Sequence, residues 1–221
     1  MNLTDPHRRL LRDVLDVGAE HGFVITGGYA VQAHGLVNRL SRDQDVATQS
    51  HAQMEAIAAA LADGLAARGW QVRKIEADPL SARMMVIDPV TEECCEVDVL
   101  KESFYYPPEA TQYGPVLALE DVIGTKVRAL ADRGAARDLI DVRAASSLYS
   151  TADLETLAVG MRGTSSGWRI LLDGAEWFDD EAFTAYGLTE CDVSDLRIWA
   201  RTWSDDIAER MSEQVNEDDL P

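Results

Sequence analysis

Apolar positions along the chain change their spacing several times, and each change marks a predicted element. From about Asp5 to Glu20, Leu10, Leu11, Val14, Leu15 and Val17 fall on or near one side of a 3.6-residue repeat, while Arg8, Arg12 and Asp16 turn away. This predicts an amphipathic helix that Gly22 ends. Phe23-Val24-Ile25 is short and apolar, as a buried strand is, and runs into Gly27-Gly28, after which helical spacing opens at Tyr29. A second strand is predicted around Val46-Ala47. The Ala-rich run from His51 to Arg68 predicts a core helix through Met54, Ile57, Ala58, Leu61 and Leu65, with Gly69 as its stop. Residues 70–75 alternate like a half-buried strand, and 83–87 form a more continuous apolar one. Asp88-Pro89-Val90-Thr91 supplies a turn. The run from Cys94 to Leu100 then places Glu96 and Asp98 on one strand face and Cys95, Val97 and Val99 on the other.

Beyond Leu100 the pattern becomes helical. Phe104 to Tyr113, with two prolines and three tyrosines, reads as a loop whose aromatics either pack over the core edge or stack on a nucleobase. Helices are predicted at about 119–133, with Glu120 and Asp121 early and Arg128 and Arg133 late as the helix dipole favours, and at 135–148 after Gly134. Further helical pieces are expected near 151–161, 179–186 and 192–213, with Gly163 to Gly167 as a joint. Trp199 and Trp203 lie four apart and so share one helix face as packing. The expected organisation is a core over residues 1–115, a helical region over 116–214 and a tail without fixed structure over 215–221. The fold class is α+β.

Charge sharpens this picture. The formal net charge is −19, but from Asp173 onward 15 acidic residues face only Arg197, Arg201 and Arg210. That leaves −7 for everything before, where 17 basic residues include Arg39, Arg42, Arg133 and Arg137. The acidity therefore does not exclude a nucleic-acid partner for the first part of the chain. The three cysteines, Cys94, Cys95 and Cys191, form neither a disulfide framework nor a zinc pattern, so reduced, buried thiols are expected. No apolar run approaches the roughly 20 residues of a membrane span, and residues 1–12 lack a signal-peptide core. A cytoplasmic protein with no membrane partner is expected.

Two places suggest chemistry. The Gly27-Gly28 pair follows a strand and opens a helix, where backbone N–H groups and the absence of Cβ atoms let a bulky anion approach. Alone, such a pair is an ordinary turn. Asp43 and Asp45, one residue apart at a strand start, project from the same face and make a hard-oxygen site for Mg²⁺. Alone, such a pair reads as solvated carboxylates. Lys126 is one of three lysines and lies on a largely apolar helix face. It is either ion-paired with Asp138 or Asp141, or a ligand for phosphate.

Taken together, strand, Gly-Gly, helix and Asp-X-Asp resemble the signature of the DNA polymerase beta-like nucleotidyltransferase superfamily. Within it, Gly27 to Asp45 looks most like the AbiEii/MenT branch of toxin–antitoxin nucleotidyltransferases. The pair of helices carrying Lys126, Leu130, Arg133, Arg137, Asp138 and Asp141 is similar to a second motif of that branch. The lincosamide and aminoglycoside nucleotidyltransferases share a Gly-Gly-aromatic-Ala turn like Gly27-Gly28-Tyr29-Ala30. The resemblance covers roughly residues 23–145. It implies a mixed or antiparallel sheet flanked by helices, with a C-terminal helical extension. It further implies Mg²⁺ on Asp43, Asp45 and Asp98, with Glu96 as the rival of Asp98, whose Val-Asp-Val setting the family shows. Gly27, Gly28, Arg39, Ser41 and Lys126 would bind the NTP, and Asp138 would orient Lys126 or the attacking group. The acceptor implied is the 3′ end of tRNA, with a cognate antitoxin as partner. Ser41 matches a place where some family members are silenced by phosphorylation. A small-molecule nucleotidyltransferase is the alternative, and a non-catalytic NTP- or partner-binding module the second alternative.

Overall fold

The computed structural model describes residues 1–39, 41, 43–158 and 178–218, and the chain divides into two units, Met1–Val122 and Ile123–Pro221. This division lies a few residues beyond the expected boundary at 115, inside one helix. The expected joint at Gly163 to Gly167, and with it Trp168 and Trp177, lies outside the described residues.

The first unit begins with helix α1, Asp5–Val17, capped by Thr4, whose side chain accepts from the His7 amide at 3.3 Å. A short 3₁₀ turn, Gly18–His21, ends at Gly22, whose φ of +64° suits glycine. Then follow β1 Val24–Ile25, α2 Gly27–Ala33, β2 Asp43–Thr48, α3 Met54–Ala67, β3 Gln71–Ala77, β4 Ser81–Ile87, β5 Cys94–Lys101, β6 Glu109–Thr111 and β7 Gly114–Val116. The strands form one mixed sheet in the order β3-β4-β5-β2-β1-β7-β6. Pairing is antiparallel at β3–β4, β4–β5, β1–β2 and β6–β7, and parallel at β2–β5 and β1–β7. The sheet is thus mixed, as expected, with β5 parallel to β2. Strand β6 replaces part of the expected loop, and β7 follows directly after it. Each is three residues long, too short to show alternation, and Pro115 removes a backbone donor that would advertise a strand.

One face of the sheet is apolar. Val46, Ala82, Met84, Val86, Cys95, Val97 and Val99 pack with Leu10 and Val14 of α1 and with Met54, Ile57, Ala58, Leu61 and Leu65 of α3. A second cluster joins Val24 and Ile25 of β1, Tyr29, Ala30 and Val31 of α2, and Val116 and Leu117 at β7. Because side chains alternate along each strand, filling one face with aliphatics leaves Asp43, Asp45, Arg83, Glu96 and Asp98 on the other. The same alternation corrects the cysteine expectation. Cys95 is buried, whereas Cys94 at the start of β5 and Cys191 are exposed, and all three are free thiols.

The second unit is helical. Among the described residues its elements are α4, Leu119–Arg133, within which the division falls, α5 Ala136–Ala145, α6 Thr151–Leu157, α7 Asp180–Thr184 and α8 Glu190–Asp218. Leu130, Leu139, Val142, Leu154, Phe183, Leu196 and Trp203 are among its buried side chains. A Cβ on Gly124 of α4 would strike the Leu157 carbonyl, so only glycine lets α6 end so close. Trp203 donates to Glu155 at 2.8 Å, and Arg210 forks onto the same carboxylate at 2.9 and 2.6 Å, tying α8 to α6. Trp199 and Trp203 pack together on one helix face, as their spacing predicts, with ring centres 5.2 Å apart and planes tilted by 52°. The helix continues to Asp218, into the stretch expected to lack structure. Among the described residues no helix is long and apolar enough to cross a membrane.

Candidate active site

The turn after β1 is built around the lack of side chains. Gly27 has a φ of +60°, and a Cβ placed there would fall on the Asp45 carboxylate. Backbone freedom and close approach both demand glycine at this one position. The Thr26 amide donates to the Asp45 carbonyl at 2.9 Å, which draws the turn onto β2. A Cβ on Gly28 would lie 2.7 Å from the Ser41 hydroxyl and 3.5 Å from the Arg39 guanidinium. Gly27, Gly28, Arg39, Ser41 and Asp45 therefore come together in the folded chain. Ser41 Oγ donates to the Asp43 carbonyl at 3.3 Å, tying its segment to the start of β2. Arg39 is buried.

Tyr29 is the support beneath. Its ring is buried, its hydroxyl donates to the Ser41 carbonyl at 3.1 Å, and His7 Nδ1 lies 2.8 Å from the same oxygen. If the phenol proton goes to Ser41, His7 must carry its proton on Nδ1. Burial pushes the Tyr29 hydroxyl well above the ordinary phenol value, and the nearby carboxylates of Asp43, Glu93 and Asp45 add to this, so it stays a donor. Burial likewise lowers the His7 pKa against the opposing pull of Glu93 and Asp43. Tyr29 is thus a packing and hydrogen-bonding residue.

The parallel pairing of β2 with β5 sets the acidic face. Asp43 is the register partner of Glu96, and Asp45 that of Asp98. Partners in register point to the same side, so the four carboxylates share one face beside the Gly27 turn. Their mutual field is visible at Glu96, whose carboxyl is raised by partial burial and by the charges of Asp98, Asp43 and Asp45, against the lowering influence of Arg83. Asp98 carries a partner of its own. Arg83, its register partner on β4, donates from Nε to Oδ1 at 2.8 Å and from Nη2 to Oδ2 at 2.7 Å, and also lies 3.2 Å from Glu96. Among the described residues no group of three or more His, Cys, Asp or Glu side chains is gathered as a ready-made metal cluster. The donor set nevertheless fits a hard divalent cation in kind: carboxylate oxygens only, beside a turn whose lack of a Cβ lets the backbone approach Asp45 closely.

In the second unit Lys126 and Asp138 are brought together. Lys126 Nζ lies 3.3 Å from Asp138 and 3.0 Å from Asp141, both with fully buried side chains. Arg133 forks onto Asp138 at 2.7 and 3.1 Å. Burial alone would raise the Asp138 carboxyl, but the Arg133 fork and the charges of Lys126, Arg133 and Arg137 outweigh it and hold the carboxyl below its ordinary range. The ion-pair reading of Lys126 is thus realised. An orienting contact from Asp138 to Lys126 is part of the same geometry.

Two residues escaped the sequence reading. Arg83 opens what reads as an apolar strand, and only the pairing of β4 with β5 shows that it meets Asp98. Its signal was an arginine placed in phase with the strand's exposed positions. His7 lies 22 residues before Tyr29, with no periodic link between them.

The Gly-Gly turn thus lies beside the Asp-X-Asp strand, with Glu96 and Asp98 on the neighbouring strand. The family described as "Nucleotidyl transferase AbiEii toxin, Type IV TA system" matches residues 9–186. The chain belongs to this family, and is an NTP-using nucleotidyltransferase by class. No curated protein matches it. Among solved structures it is similar to JHP933 from Helicobacter pylori, at 16% identity and a TM-score of 0.58, covering 98% of this chain and 99% of that one. A candidate nucleotidyltransferase from H. pylori gives 15% identity, a TM-score of 0.58 and coverage of 96% and 99%. These two likenesses show a shared α+β fold.

Proposed function

We propose that this protein moves an NMP from an NTP to the 3′ end of tRNA, with Mg²⁺, as the toxin of a toxin–antitoxin pair. The observation that carries the reading is the register of β2 and β5, which aligns Asp43 and Asp45 with Glu96 and Asp98 on the face that the Gly27 turn adjoins. Asp43 and Asp45 would hold Mg²⁺, with Asp98 as the third acid. When bound, the ion supplies neutralisation of phosphate charge and a lowered pKa for the acceptor hydroxyl.

The chain's own groups do the positioning. The backbone at Gly27 and Gly28 is open to phosphate oxygens, and Ser41 and Arg39 beside Gly28 offer a hydroxyl and a cation. Lys126, held in the second unit by Asp138 and Asp141, is a candidate for the β- and γ-phosphates by the resemblance alone. The acceptor oxygen would attack the α-phosphorus, and pyrophosphate would leave as the bond to the β-phosphate breaks. An antitoxin would then be needed to restrain the activity in the cell.

The test is incubation with each labelled NTP, Mg²⁺ and total tRNA. One NTP is expected to label tRNA with the wild type and none with Asp43→Ala or Asp45→Ala. Transfer to an aminoglycoside or lincosamide, with none to tRNA, would move the acceptor to a small molecule. Equal labelling by the Ala variants would remove the metal reading.

A further inference from the structure

Arg83 is a cation bound to two of the four carboxylates, Asp98 and Glu96. Its guanidinium takes both oxygens of Asp98 in a fork at 2.8 and 2.7 Å and reaches Glu96 at 3.2 Å. The Asp98 side chain is largely shielded, at 13% exposure, whereas Arg83 is 39% exposed and so has an open side toward which it can swing. The pairing is not a by-product of a flexible surface. Arg83 and Asp98 are Cα partners in the antiparallel β4–β5 ladder, and the backbone places them opposite each other.

A carboxylate with both oxygens engaged by a guanidinium is a poor ligand for a second cation. The two positive charges compete for the same lone pairs and repel each other. We propose that Arg83 is a resident counter-cation, which holds Asp98 in the free protein and competes with the divalent ion for it. This rests on the reading of Asp98 as the third acid, given above. Its consequence is that the free protein has weak affinity for a divalent ion alone. Arg83 leaves Asp98 when anionic phosphate arrives, since a guanidinium pairs with phosphate in the same forked geometry. Asp98, released by Arg83, would then be open to hold the divalent ion only when the triphosphate is present.

The experiment is titration of the substrate-free protein with Mn²⁺ alone, reading free Mn²⁺ by electron paramagnetic resonance. Coulomb's law for a single and a double charge about 5–6 Å apart in a water-like dielectric gives roughly a tenfold effect on affinity. Arg83→Gln is therefore expected to bind Mn²⁺ about tenfold more tightly than the wild type. Arg83→Lys, which keeps the charge, should stay near the wild type. Arg83→Gln combined with Asp98→Asn should lose the gain. A merely structural role for Arg83 predicts weaker binding in Arg83→Gln, not tighter, and circular dichroism on each variant reports whether the fold is kept. Unchanged or weaker Mn²⁺ binding in Arg83→Gln overturns the proposal, as does a gain that Arg83→Lys shares or that survives Asp98→Asn. If Arg83→Gln shows no gain while the wild type still labels tRNA and Asp43→Ala does not, only this inference fails. If no variant binds Mn²⁺ and none transfers nucleotide, the metal reading fails with it.

Discussion

Replacing Gly27 by alanine perturbs the site in two ways that other glycines separate. At Gly22 the φ is +64° and nothing lies within 4 Å of an added Cβ, so Gly22→Ala reports the backbone cost alone. That cost is about 1 kcal/mol, which for a chain of this length lowers the melting temperature by about 2–4 °C. At Gly28 no left-handed φ is required, and the added Cβ meets the Ser41 hydroxyl at 2.7 Å, a terminal group that can rotate away. Gly28→Ala should cost little stability, since helix propensity favours alanine and offsets the lost Ser41 bond, each about 1 kcal/mol. Gly27→Ala combines the left-handed φ of +60° with a Cβ 2.7 Å from that of Asp45 and nearer still to its carboxylate. Neither strain can relax without moving Asp45. A displacement of about 1 Å in a reacting group costs on the order of 10²-fold in rate. The assay is labelled-NMP transfer beside thermal melts of the three variants. Gly22→Ala should transfer at the wild-type rate, Gly28→Ala somewhat below it, and Gly27→Ala at least a hundredfold below, on the order set by that displacement. Transfer by Gly27→Ala at close to the wild-type rate would show that Asp45 is not held where the reaction needs it.

Three further outcomes are expected. Tyr29→Phe removes the hydroxyl that binds Ser41 and His7, and should lower stability by about 1–2 kcal/mol while raising the KM for NTP more than it lowers kcat; an unchanged denaturation midpoint would mean the bonds contribute nothing. Asp138→Asn leaves Lys126 and Arg133 without their shared carboxylate and should destabilise by about 3 kcal/mol at neutral pH. Because the Asp138 carboxyl is held below its ordinary value, its contribution is present above the unfolded pKa of about 4 and lost as pH falls through the folded one. The gap in melting temperature between wild type and Asp138→Asn should therefore close on acidification, and a gap that stays constant to the lowest pH would contradict the assignment. Ser41→Glu puts a carboxylate against Gly28 and next to Asp43, so NTP binding measured by calorimetry should be lost, as it would be on phosphorylation, while Ser41→Ala keeps much of it. Equal binding by both variants would place Ser41 outside the pocket.

The strands that carry the acids were legible because their periodicity is local. In β5 the alternation of Glu96 and Asp98 with Val97 and Val99 already assigns the faces, and the spacing of Asp43 and Asp45 does the same for β2. The parallel register of the two strands was not legible. It depends on the crossover through α3, β3 and β4, and on which edge the returning strand joins. Arg83 shows the limit most clearly, since its meaning lies 15 residues away across a ladder. Tyr29 was visible as an aromatic after a Gly pair, but a phenol's partner cannot be read from its neighbours in sequence. Tyr105 and Tyr106 stay exposed while Phe104 and Tyr113 pack against the core, a division that a proline-broken stretch does not announce.

The interior place of β2 and β5 has a consequence for how the chain tolerates change in length. Each has a strand bonded on both sides, so neither has a free edge along which to slide. Deleting one residue within β5, upstream of the acids, would turn Glu96 and Asp98 into the layer filled by α1 and α3 and bring valines out in their place. Losing two would restore the orientation but set Asp98 against a different residue of β2. Insertions and deletions in Asp88 to Glu93, before β5 begins, can instead be absorbed by the turn. Length variants in this protein should therefore collect in the turns, and a surviving change inside β2 or β5 should come with a compensating change in the same strand.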